Sequence, residues 1–83
     1  MSAIDRSPIV VGEPNWVPLE RALSPRDRQP FMYMGRVGDI ELYKDCLTRR
    51  YLNISSDGRR FYRHVGNAYI EIARAEAIAY VNS

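Results

Sequence analysis

The residues of this chain best suited to chemistry lie between positions 49 and 64. There Arg49, Tyr51, Asn53, Arg60, Tyr62 and His64 share the stretch with Arg50, Leu52, Ile54, Arg59, Phe61 and Arg63. Eleven of the twelve basic residues are arginine. A guanidinium grips phosphate or carboxylate through paired donors and stacks on flat rings, which an ammonium does not do. Codon bias explains an arginine excess equally well, so placement carries more information than number. Within 49–64, five arginines stand against Asp57 alone, a net of +4, whereas residues 1–48 hold six cations and seven anions. Flat rings on a sheet with cations beside them are the means by which single-stranded nucleic acid is stacked and held. The same residue types anchor protein interfaces, and they are also ordinary occupants of a solvated β surface.

Other candidates are weaker. Cys46 and His64 are each the only residue of their kind, so Cys and His cannot assemble a zinc site by themselves. A Cys–His nucleophile pair is formally available, but a lone cysteine near a strand end is far more often a small packed residue. His64 beside Tyr51 or Arg49 could do acid–base work; the commoner case is a surface histidine in a polar strand. Asp39, Glu41 and Asp45 form no recognisable carboxylate pair or metal loop, and the glycines are too scattered to cradle a phosphate. No catalytic residue, cofactor or metal is therefore expected.

The elements that must position these side chains follow from turn chemistry and alternation. Asp57-Gly58 between two β-rich runs predicts a hairpin, because Gly accepts the positive φ of the turn. A tight turn pairs Ile54 with Phe61, and a four-residue loop pairs Leu52 with Phe61. Both give the same faces, since side chains alternate with period two. The face of Arg50, Leu52, Ile54, Arg59, Phe61, Arg63 and Val65 then points into the core, with its arginines snorkelling at the rim. Arg49, Tyr51, Asn53, Arg60, Tyr62 and His64 face solvent or a partner. Upstream, Gly38-Asp39 predicts a two-residue turn in a hairpin over 31–45, with Val37 against Ile40, Gly35 against Leu42 and Arg36 against Glu41. Regular alternation puts that charged pair on the face away from Phe31, Tyr33, Val37, Ile40 and Leu42. Gly66-Asn67 leads into a fifth strand, Ala68 to Ile72. Alanines favour a closing helix from Arg74 to Val81, with Ile78 and Val81 on one side.

All five prolines precede residue 31, and proline removes ladder donors, so central strands are not expected there. Residues 1–15 read as an extended or mobile arm, with Ile9-Val10-Val11 as a piece that could pair along a sheet edge. Pro18 suits the first turn of a short helix through Leu23. Ser24-Pro25-Arg26-Asp27 has capping spacing for one more turn.

With 83 residues, 46% hydrophobic and 27% charged, the chain is sized for one globular domain, taken as 16–83 after the arm. No apolar run reaches the ~18 residues of a membrane span. No basic start with an apolar core marks a secretory signal. One cysteine permits no internal disulfide and fits a reducing cytoplasm. The expected fold is α+β: a small, mainly antiparallel β-meander of four to five strands packed against a short C-terminal helix and a short N-terminal helical segment. The expected function is a non-enzymatic binding module, of adaptor or inhibitor type, acting on a macromolecule through the Arg/Tyr hairpin face. A protein is placed first as partner and nucleic acid second, with a sheet edge available for a homodimer. A metal-independent, ribonuclease-like enzyme is the third class: a deep cleft holding His64 would favour it, and a flat basic face would favour binding.

Overall fold

The computed structural model describes residues 9–83. Two short helices, α1 (Val17–Ala22) and α2 (Pro25–Arg28), precede five strands: β1 (Phe31–Val37), β2 (Ile40–Asp45), β3 (Tyr51–Ser55), β4 (Phe61–Val65) and β5 (Ala68–Ile72). A last helix, α3 (Arg74–Val81), closes the chain. The strands form one antiparallel meander in the order β1-β2-β3-β4-β5, the expected α+β architecture.

Local chemistry explains these boundaries. Pro18 sits in the first turn of α1, and the Ser24 hydroxyl caps α2 by accepting from the Asp27 N–H at 3.3 Å. Gly38 turns β1 into β2 at φ 58° while Asp39 keeps a negative φ, as a II′ turn requires. The alanine-rich α3 buries Ala77 and Val81, four residues apart, with Ile78 only half-buried beside them.

The helices cover one face of the sheet. There Leu19 and Ala22 of α1 and Ala77 and Val81 of α3 pack on Phe31, Tyr43, Leu52, Ile54 and Phe61. Leu52, Ile54 and Phe61 are buried as alternation requires. The Trp16, Tyr33 and Tyr43 rings cluster with centroids 5.8–6.1 Å apart, Tyr33 edge-on to Tyr43 and Trp16 tilted against both, and pin the approach to α1 onto this face.

Two expectations need correction. Arg36 does meet Glu41, at 2.7 Å, but on the helix-covered face, where Glu41 is fully buried. The cause is a bulge: Tyr33 pairs with Tyr43 and Gly35 with Leu42, so Met34 is an extra residue and alternation changes phase. Phe31 and Tyr33 stay on the helix side, whereas Val37, Ile40 and Leu42 turn to the other face. That other face is consequently not a solvated surface. Val37, Ile40 and Leu42 form a second core with Tyr62 and Tyr69, flanked by Met34 and Tyr51. Tyr62 and Asn53, expected to face outward, are only 5% and 2% exposed.

Of the arm, residues 1–8 lie outside the described residues. Val10 makes a two-bond antiparallel bridge to Arg36 on the outer edge of β1, at 2.8 and 2.9 Å. Gly35 makes this approach feasible. Its φ is 117°, and a Cβ there would stand 2.8 Å from Ile9 Cγ2 and 3.0 Å from the Val10 carbonyl.

Candidate functional site

The β3–β4 hairpin adopts the tight register, with Ile54 against Phe61 and Asn53 against Tyr62. Gly58 takes φ 80°. The Ser55 hydroxyl organises the turn, donating to Asp57 Oδ1 and accepting from the Arg59 and Arg60 N–H groups. The Ser55 hydroxyl and the Arg59 N–H hold the Asp57 carboxyl below its ordinary range.

At the opposite end of this hairpin the second face opens into a recess of about 530 Å³, within the size range of small-ligand sites. Four of the six residues singled out from sequence line it: Arg49, Tyr51, Asn53 and His64. The other two do not. Tyr62 is packed in the second core next to the recess, and Arg60 is exposed at the turn end of the hairpin, beside Ser55. Tyr51 is half-buried.

The walls come from several elements. Tyr69 pairs with His64 across β4 and β5, and the two rings stack at 4.5 Å with 14° between their planes. Burial, with the neighbouring Tyr51 phenol, pushes the Tyr69 hydroxyl above its ordinary pKa. Leu42 and Ile9 supply apolar wall on the side of the arm. Tyr80 of α3 closes the far side, held between the guanidinium groups of Arg63 at 4.4 Å and Arg50 at 5.1 Å from its ring centre. Arg50 is further fixed by an Nε bond to the Ser83 carbonyl.

Arg49 stands at the mouth with φ 64°, the single non-glycine residue with positive φ among those described. A left-handed backbone costs an L-residue about 1–2 kcal/mol. The 45–50 connection enforces it: Asp45 Oδ1 accepts from the Leu47 and Thr48 N–H groups, the Arg49 N–H donates to the Asp45 carbonyl, and the Thr48 hydroxyl donates to the Val81 carbonyl.

Asn53 forms part of the wall from within the sheet. Its Nδ2 donates to the Tyr62 carbonyl at 3.3 Å, while its Oδ1 is buried without any partner, the sole such side-chain atom among the described residues. The recess thus combines a stacked aromatic pair and guanidinium groups, with no carboxylate among the described residues that line it.

A larger groove, about 810 Å³, runs along Leu23, Phe31, Met32, Leu47 and Ile78 beside the exposed Cys46. Its buried carboxylate, Asp45, is already satisfied by backbone donors, and no stacked pair of rings lines it. No three of His, Cys, Asp and Glu gather into a set for a metal ion among the described residues, and no described helix is long and apolar enough to cross a membrane. Compared with known proteins, the chain matches no family model, no curated protein and no solved structure.

Of the residues sequence reasoning missed, Tyr69 was reachable: the Gly66-Asn67 turn sets Val65 against Ala68 and therefore His64 against Tyr69. Thr48, Tyr80 and Ile9 arrive by tertiary packing, for which local pattern holds no signal.

Proposed function

We propose that this chain is a non-enzymatic binding module that engages a single-stranded nucleic acid at the recess beside the β3–β4 hairpin. The observation that carries this reading is the lining itself: stacked rings and two arginines around an open cavity, with no carboxylate among the described residues that line it. Such a combination suits a flat base with an adjoining phosphate. Both readings from sequence, a protein partner first and nucleic acid second, drew on Tyr51 and Tyr62 as exposed rings; Tyr62 is buried, and the rings left at the recess are Tyr51 and the stacked His64–Tyr69 pair. A recess containing His64 is the shape associated above with an enzyme. What keeps binding ahead is that no carboxylate or second histidine lines it among the described residues, and that burial makes Tyr69 a weaker acid than an ordinary phenol. A reducing cytoplasm remains the expected setting, consistent with the unpaired, exposed Cys46. If two copies pair, β5 is the edge they would use, since the arm reaches β1.

The test is a titration of labelled single-stranded RNA and DNA at two salt concentrations. Neutralisation of phosphates by Arg49 and Arg50 gives a salt slope near −1.4, hence about sevenfold weaker binding on going from roughly 50 to 200 mM salt. The strands should be recovered intact. Absence of binding at the lower salt would overturn the nucleic-acid role; binding of an acidic peptide to the recess instead would restore the protein partner, and strand cleavage would establish the enzyme.

A further inference from the structure

Beside the recess, β3 and β4 stop pairing after Ile54–Phe61 and Asn53–Tyr62. The next residues away from the turn, Leu52 and Arg63, are not ladder partners, so the sheet parts there. Tyr80 reaches this end of the hairpin from α3, which docks on both strands through Ala77 and Val81. The guanidinium carbons of Arg63 and Arg50 stand 4.4 and 5.1 Å from the centre of its ring. One ring thus gathers two cations to within a Debye length at ordinary salt, ~10 Å, so that they repel each other and jointly attract negative charge.

That charge is not neutralised from within. Neither guanidinium meets a carboxylate among the described residues, and both side chains are exposed. Arg50 commits its Nε to the Ser83 carbonyl, which fixes its position without removing its charge. Of the acids nearby, Glu71 pairs with Tyr62 and so lies on the opposite face of the sheet from Arg63, and Glu76 stands a full turn before Tyr80 on α3. Tyr80 and Arg50 line the recess, while Arg63 stands outside it against the same ring. Negative charge drawn to this pair therefore lies beside whatever flat group fills the recess. A single strand supplies such charge at every nucleotide.

We propose that Arg50 and Arg63, held on Tyr80, grip successive phosphodiesters of a single strand, Arg50 the one adjoining the base in the recess and Arg63 the next. This rests on the nucleic-acid role proposed above and makes Arg63 a binding residue although it does not line the cavity.

The test is the salt dependence with which the full chain binds a short adenine oligonucleotide. A third phosphate contact steepens the slope from near −1.4 to about −2.1, so affinity should fall roughly eighteenfold, not sevenfold, between about 50 and 200 mM salt. Arg63→Gln should restore the shallower slope, weakening binding about eightfold at the lower salt and about threefold at the higher. Arg63→Lys keeps the charge and should keep the steep slope. If Arg63 only props Tyr80, Arg63→Gln lowers affinity by one factor at both salts and leaves the slope unchanged. That result, or a wild-type fall of only about sevenfold, would overturn the grip while leaving the nucleic-acid role standing. No binding by the wild-type chain at the lower salt would overturn both.

Discussion

Glu41 shows how much a single residue organises here. It is fully buried, yet Tyr33 Oη, Arg36 Nε and Ser56 Oγ donate to it at 2.6–2.7 Å and Asn15 Nδ2 at 3.3 Å. Burial pushes its carboxyl up, but the hydrogen bonds from Ser56, Arg36, Tyr33 and Asn15 together outweigh that and hold it below its ordinary 4.5. Because the unfolded carboxyl takes up protons at higher pH than the folded one, its stabilisation is complete above 4.5 and is lost as pH falls through the lower folded value. Urea midpoints followed from neutral into acid pH should therefore drop on this limb, and Glu41→Gln should flatten it. Glu41→Ala strands several donors and should cost about 3–5 kcal/mol, read from chemical denaturation. Its hydrogen-bonded neighbour Tyr33, raised by burial and by Glu41 to about 12, should titrate well after free tyrosine in an absorbance titration. Arg49 poses the opposite case. Arg49→Gly relieves the positive φ of 64°, so stability should stay level or rise by up to about 1 kcal/mol, while strand binding weakens. Lost stability with intact binding would show that Arg49 serves the fold.

At the scale of elements, the strands, turns and final helix were legible because turn glycines and alternation agree. Gly38-Asp39, Asp57-Gly58 and Gly66-Asn67 all fall at hairpin turns. Which face each strand of the first hairpin presents was not legible, because Gly35 hides a phase change inside β1. A glycine within a strand pattern is itself a sign of a bulge or a close backbone approach, and here it marks both. The missed bulge is also why Asn53 and Tyr62 appeared solvated: Leu42, their row neighbour across the sheet, was assigned to the wrong side. Gly35→Val should detach the arm, since its Cβ would meet the Val10 carbonyl and Ile9. Hydrogen exchange at the Val10 and Arg36 amides should speed up, with a stability loss of about 1–3 kcal/mol. Unchanged protection would mean the arm is held by contacts other than this bridge.

For the molecule as a whole, one sheet carries two cores, one under the helices and one of its own side chains, and the recess opens beside the second. Four of its residues, Arg49, Tyr51, Asn53 and His64, were legible because they share one face of one hairpin. Its depth was not, because α3, the 45–50 connection and the arm build its walls from distant positions. On the proposed role, this recess, and not the larger groove past Leu23 and Leu47, is where the chain meets its partner. Amide chemical-shift mapping of the full chain, titrated with a short adenine oligonucleotide at low salt, tests that directly. Shifts concentrated at Arg49, Tyr51, Asn53, His64 and Tyr69 are the predicted result. Shifts confined to Leu23, Phe31, Leu47 and Ile78, or no saturable shifts at all, would contradict it.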